Sequence, residues 1–283
     1  MAPAARRAAP GPQARGYTPG SMQTPAAPLP QVALVTGAAR RLGREIALAL
    51  ARAGWDIGVH YGSSRDDAEA TVAAIRALGR RAIALPAQLQ DEAEVLALLP
   101  ALADALGAAT CVVNNASRFE FDSAADVGFA SFQAHLLPNL AAPVLLAREL
   151  HRLLPAGAEG VVVNLLDQKL WAQNPDFLSY TLSKAGLAAA TTMLAQALAP
   201  RVRVVGVAPG LTLPSYLQDD ATFAQAHRSH SPLGRSSTAA DVAASVVFAV
   251  ANRSLTGSTI LCDGGQHLRP LPRDVSFMPP EGP

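Results

Sequence analysis

The amino-acid sequence predicts a single α/β domain, doubly wound around one parallel sheet with helices on both faces. Three observations carry that reading. Short apolar runs rich in Val, Ile, Leu and Ala alternate with helical stretches, and several of those helices stop at a glycine. The apolar runs are also nearly continuous rather than alternating, as strands covered on both faces must be.

Residues 31–36 (QVALVT) read as the first buried strand, and 44–53 as a helix stopped at Gly54. Residues 55–61 and 66–78 repeat the unit, closed by Gly79, and 81–86 with 92–106 repeat it again, closed by Gly107. β-Branched residues favour the extended runs, and a glycine just past a helix supplies the left-handed turn that ends it. A fourth strand over 110–114 is followed by a helix over 132–154, a fifth strand over 160–166 and a helix over 179–198. The sixth strand spans 203–208; after a variable stretch come a helix over 239–251 and a last strand over 257–262. Strands one to six would be doubly wound, with ligands bound beyond their C-terminal ends.

The 283 residues suffice for one large core, and half of them are hydrophobic against 16% charged, which excludes a disordered regulator. A net charge of +1 gives no general field for nucleic acid or an anionic membrane. Cys111 and Cys262 lie in apolar strand-like runs, read as small core residues; they form neither a disulfide framework nor a metal cluster and suit a reducing cytoplasm. No apolar run reaches the roughly 18 residues that span a bilayer. Residues 1–30, rich in Ala, Pro, Arg and Gly, are expected to form a disordered tail, with Met22 an internal alternative start. Their arginines and lack of acids also suit an organelle presequence, but the prolines break its helix. Residues 31–268 form the domain, and 269–283 a second tail, disordered or reaching a neighbouring subunit's pocket. Basic residues are nearly all arginine, so the two lysines, Lys169 and Lys184, stand out.

The first strand runs into Thr36-Gly37-Ala38-Ala39-Arg40-Arg41-Leu42-Gly43 and then into a helix. Gly37 permits a tight turn, and Gly43 lets helix, sheet and a phosphate approach closely. Free backbone N–H groups at the helix start suit a pyrophosphate, so the turn predicts a dinucleotide site of the Rossmann type. At the end of the second strand stands Val59-His60-Tyr61-Gly62-Ser63-Ser64-Arg65, with no carboxylate before Asp66. An acid there would select NAD; its absence, with Arg40, Ser63, Ser64 and Arg65 as donors, predicts NADP(H).

Tyr180 and Lys184 lie four apart, on one helix face. A free phenol, with a pKa near about 10, is a poor acid–base catalyst at neutral pH, and a neighbouring ammonium would lower that value. With Thr36-Gly37 to Gly43, Asn114-Asn115-Ala116, Asn139, Tyr180-x-x-x-Lys184 and Pro209-Gly210, residues 31–268 resemble the short-chain dehydrogenase/reductase family. The resemblance implies that Asn115, Ala116 and Ser117 line the cofactor and that Asn139 anchors a water relay to Lys184. It further implies that Pro209, Gly210, Leu211 and Thr212 cover the nicotinamide, and that the protein is a homotetramer packed through the helices of Asn139 and Tyr180. Gln88-Leu89 stands where the family has Asp-Leu facing the adenine, and glutamine can still accept that bond.

Two departures bear on substrate. Arg41 occupies the middle of the glycine motif, and Asp167 stands thirteen before the tyrosine, where the family has a serine. With Asn115-Ala116-Ser117-Arg118-Phe119 and the ending Asp263-Gly264-Gly265, these resemble the pteridine reductase branch, including dihydromonapterin reductases. An ionised carboxylate beside a reacting ketone would repel the developing oxyanion, whereas C=N reduction benefits from a protonated nitrogen. Phe119 would stack on a flat ring, Arg41 would reach its polar edge, and Ser117 and Leu211 would complete the substrate site, with Trp171 and Tyr216 as further walls. Two alternatives stay open: a ketoacyl or sugar carbonyl reductase, and a nucleotide-sensing scaffold without turnover.

Overall fold

In a computed structural model of the protein, which describes residues 31–214, 217 and 220–278, the predicted alternation is present throughout. The tail over 1–30 and Tyr216 lie outside the described residues. The elements are β1 (Val32–Val35), α1 (Arg41–Arg52), β2 (Asp56–Tyr61), α2 (Arg65–Ala77), β3 (Ala82–Pro86), α3 (Glu92–Leu106) and β4 (Cys111–Asn114). Then follow α4 (Phe129–Leu136), α5 (Ala142–Leu153), β5 (Gly160–Leu165), α6 (Leu178–Leu198), β6 (Val202–Pro209), α7 (Asp220–Ser229), α8 (Ala239–Ala251) and β7 (Thr259–Cys262).

The strands form one parallel sheet in the order β3-β2-β1-β4-β5-β6-β7, whose direction of winding reverses between β1 and β4. That reversal opens a crevice at the C-terminal strand ends, where ligands of such sheets bind. Alternate residues of β1 serve opposite faces. Ala33 and Val35 pack with Ile46, Leu50 and Val246 of α1 and α8, while Val32 and Leu34 pack with Leu102, Leu146 and Leu150 of α3 and α5. The result is three layers, helix, sheet and helix.

Four details differ from the sequence reading. Helix α1 starts at Arg41, three residues early, so Arg41 sits in its first turn. Asn139 lies not in regular helix but in a π turn (Leu137–Ala141) joining α4 to α5. The stretch expected to be variable contains α7. Cys111 is buried and its thiol pushed up to about 12, but Cys262 is only half-buried, because β7 is an edge strand. Phe129–Leu153 is long and apolar enough to cross a membrane by length and composition alone; here Leu146, Ala147 and Leu150 pack its later turns on the sheet, and much of the rest is exposed.

Leu34 is fully buried at the centre of the sheet. Leu34→Ala is expected to lower the stability of the fold by about 2–5 kcal/mol in urea titrations, the cost of a cavity the rigid sheet cannot fill.

Candidate active site

The turn after β1 is held from beneath by hydrogen bonds. Thr36 Oγ1 accepts from the backbone N–H of Asn115 at 2.9 Å and of Ala116 at 3.0 Å. The Asn115 side chain donates to the Thr36 and Gly37 carbonyls at 2.9 and 3.3 Å. Gly37 has φ of +63°, and a Cβ on Gly43 would lie 2.2 Å from the Gly37 carbonyl oxygen. Any side chain at either position would therefore disrupt the turn.

His60 performs a part the sequence did not show. It is buried, and its Nδ1 accepts from Gly37 N–H at 3.0 Å while Nε2 donates to the Ala87 carbonyl at 3.1 Å. Burial pulls the imidazole down to about 4, so it is neutral and a fixed tautomer near pH 7. His60 thus braces the glycine turn from inside rather than lining the cleft.

Above this turn runs a cleft whose outer end is lined by Arg40, Gly43, Tyr61, Ser63, Ser64 and Ala116, with no carboxylate among its lining residues. Arg65, expected there as a donor, is not among them. Gln88 is exposed, its side chain about 4 Å from the position of a Cβ on Gly62, and Leu89 is buried below it. The cleft continues past Leu42, Asn115 and Ser117 to Lys184, Pro209 and Thr212. Arg41 borders every part of it: φ of +53°, unfavourable for a side-chain-bearing residue by about 1–2 kcal/mol, lets its guanidinium reach across to the Pro214 carbonyl at 2.6 Å.

At the inner end is a cavity of about 260 Å³ bordered by Asp167, Tyr180, Phe119 and Leu211. Asp167 follows β5 and Tyr180 stands on the first turn of α6; the phenol donates to Asp167 Oδ2 at 2.7 Å. Asp167 Oδ1 accepts from the Lys169 backbone N–H at 2.8 Å. Burial raises the Asp167 carboxyl above the usual range. The expectation that Lys184 lowers the Tyr180 pKa is overturned. Burial, and then the Asp167 charge, hold the phenol well above its ordinary value. Lys184 Nζ donates instead to the Leu165 carbonyl at 2.7 Å and lies 5.9 Å from the phenol ring centre; burial brings it down to about 8.

Asn139 ties the loop after β4 to α6. Its side chain accepts from Arg118 N–H at 2.8 Å and donates to the Arg118 carbonyl at 2.9 Å and to Ser183 Oγ at 3.0 Å, so it fixes the loop that presents Phe119. Phe119 stacks on Phe177 at 4.2 Å and meets the Tyr180 ring edge-on at 4.7 Å. Trp171 is 45% exposed and does not border the cavity, since the short 3₁₀ turn Gln168–Trp171 points it outward. Residues the sequence reading missed include Gln266, buried, whose Oε1 accepts from Leu211 N–H at 2.9 Å, and Asp274 on the cavity rim. The C-terminal segment, expected to be disordered or to reach a neighbour, packs over this cavity of its own chain through residues 271–276.

Residues 37–267 match the family profile described as enoyl-(acyl carrier protein) reductase. The chain belongs to the short-chain dehydrogenase/reductase family and is an oxidoreductase of that family. Among solved structures it is similar to the FolM alternative dihydrofolate reductase 1 of Brucella canis complexed with NADP, at 40% identity and a TM-score of 0.81, covering 84% of this chain and 94% of that one. Among curated proteins it is similar to a 3-oxoacyl-[acyl-carrier-protein] reductase of Synechocystis, 31% identical over 241 residues, covering 83% and 96%. The FabG enzyme of the same description from Staphylococcus aureus is 29% identical over 255 residues, covering 83% and 98%.

Unfolded His60 takes up a proton near its ordinary 6.5, whereas the folded ring stays neutral to about 4. Protonation therefore favours the unfolded chain in that window, and stability falls as pH falls through it. The thermal midpoint is expected to drop between pH 7 and pH 5, and the drop to shrink in His60→Asn. Leaving Gly37 N–H unpaired in His60→Ala costs about 1–3 kcal/mol, read as weaker NADPH binding by fluorescence titration.

Proposed function

We propose that this protein uses NADPH to reduce a carbon–nitrogen double bond in a flat dihydropterin-type ring: dihydromonapterin, dihydrobiopterin or dihydrofolate. The observation that carries the reading is the 2.7 Å contact between Tyr180 and the half-buried carboxyl of Asp167, whose acidity is weakened by its surroundings. In its ionised form a carboxylate at that place repels the alkoxide forming from a ketone but stabilises a protonated ring nitrogen. A ring nitrogen gains a proton source.

The residues present fit NADPH. The bare backbone at Gly37 and Gly43 leaves room for a pyrophosphate at the start of α1, and Arg40, Ser63 and Ser64 would hold a 2′-phosphate with no acid to oppose it. Leu42, Asn115, Ala116 and Ser117 would line the middle of the cleft, and Pro209 to Thr212 its inner end. When bound, NADPH supplies the hydride that joins the ring carbon. Tyr180 and Asp167 hold the proton that joins the nitrogen, and the raised carboxyl value keeps that proton available nearer neutral pH. Lys184, still largely protonated below about 8, sets positive charge behind the pair. Phe119, backed by Phe177, offers its ring to one face of the substrate. The Brucella relative supports the substrate class. Asn139, Gln88, Leu89 and His60 are positioning residues in this reading.

The likeness to the 3-oxoacyl reductases favours a second reading, reduction of a ketoacyl carbonyl. Asp167→Ser separates the two. It should cut dihydropterin reduction by about 10²–10⁴-fold, the usual worth of a positioned acid, and a ketone reductase would keep or gain activity. In the wild type, kcat should fall as pH rises through the raised Asp167 value, since the proton is then lost; Asp167→Asn should remove that limb.

The protein acts in the cytoplasm as a homotetramer in this reading. Phe129 is 90%, Met193 67% and Leu182 46% exposed, an apolar surface on α4 and α6 that a neighbouring copy would cover. Met193→Glu combined with Leu182→Glu should yield smaller species in sedimentation, and a wild type that sediments as a monomer would overturn the assembly.

A further inference from the structure

The C-terminal segment returns to the cavity through specific contacts. Arg269 donates to the Ser229 carbonyl at 2.9 Å, and Leu271, Asp274, Val275 and Ser276 form the side of the cavity away from the cleft. Arg273 Nε lies 2.8 and 3.0 Å from the two oxygens of Asp176, a buried carboxylate, which also accepts from Asp274 N–H at 2.7 Å. Lys169, equally buried, donates to the Asp176 carbonyl at 2.8 Å and pairs with Asp274 at 3.3 Å. Phe277 packs near-parallel to Phe177 at 6.0 Å, with the Arg273 guanidinium 5.3 Å from the Phe277 ring centre, and Phe177 in turn backs Phe119.

Two lines therefore run from this segment into the site. One is ionic, from Asp274 through Lys169, whose backbone N–H holds Asp167. The other is aromatic, from Phe277 through Phe177 to Phe119. The Lys169–Asp274 pair is largely buried on both sides and loses far more when one partner is removed than an exposed pair does, while Arg273 is half exposed over the buried Asp176. The cavity they close, about 260 Å³, sits at the small end of ligand sites, which run to roughly 300–1,000 Å³.

We propose that residues 270–278 are the specificity wall of the substrate pocket, built in cis and latched by Arg273–Asp176 and Asp274–Lys169, and that they restrict it to compact flat rings and shut out chain-borne acyl substrates. Lys169, Asp176, Arg273, Asp274 and Phe277 are positioning residues of that wall. The inference rests on the reading of the site as one for a dihydropterin-type ring.

The test compares wild type, a chain ending at Arg269, the double variant Arg273→Ala/Asp274→Ala, and Arg273→Lys. Each is assayed with 7,8-dihydrobiopterin and with acetoacetyl coenzyme A, and NADPH affinity serves as the control for folding. KM for the pterin should rise by about tenfold or more with kcat little changed, the signature of lost ground-state positioning. The thioester should gain in kcat/KM, NADPH affinity should hold, and Arg273→Lys should recover most of the pterin KM. Where the shortened chain no longer binds NADPH, the double variant decides between the outcomes. Variants that bind NADPH with unchanged KM and an unchanged ratio of the two substrates overturn the wall and leave the pterin reading intact. A wild type inactive on pterins, whose variants gain on the thioester, overturns the pterin reading and leaves the wall.

Discussion

Partial removal of the Asp167 carboxyl from water, at the edge of the cavity, is the constraint around which the site is arranged. A buried carboxylate is costly unless it is paired, hydrogen-bonded or protonated. Here it is met by the Tyr180 phenol, a backbone N–H and, at longer range, two ammonium groups. The same burial pushes the acid up, the phenol up and the Lys184 amine down. All three therefore move in the direction that favours the uncharged form, and a proton can be held in the interior at little cost. The familiar picture of a lysine sharpening a tyrosine does not describe this arrangement, because the nearest charge to the phenol is negative.

The cofactor cleft rests on a different arrangement. Its backbone turn has almost no side chains of its own to hold it, so neighbouring strands hold it instead: Thr36 and Asn115 from one side, His60 from the other. Neutral imidazole suits that post, since Gly37 needs an acceptor and Ala87 a donor. The crossing of Arg41 to Pro214 joins the two banks of the cleft, so the strained backbone at Arg41 serves a span that glycine could not make.

Much of this was legible in the sequence, for identifiable reasons. Strand and helix order followed from apolar runs and glycine stops, and the site residues from short spacings such as four for Tyr180 and Lys184 or thirteen for Asp167 and Tyr180. Such spacings are fixed by the local element. Contacts between distant segments left no such trace. Arg273 meets Asp176 across 97 residues and Gln266 meets Leu211 across 55. Nothing in either neighbourhood announces its partner. The direction of the Tyr180 shift failed for a related reason: helix spacing showed the lysine one turn away but not that its amine turns to the Leu165 carbonyl. Lys169 was visible only as a rarity.

That rarity has a practical side. The chain's whole complement of side-chain amines is Lys169 and Lys184; Lys169 borders the cavity and Lys184 the adjoining end of the cleft, one on each side of Asp167 and Tyr180. With its amine near about 8, Lys184 is in good part the neutral, nucleophilic form under mildly alkaline conditions. Apart from the α-amino group, an amine-selective reagent, indiscriminate on most proteins, has side-chain targets only at this site. Ligand occupancy could then be followed by protection from modification, without a substrate and without an assay of turnover.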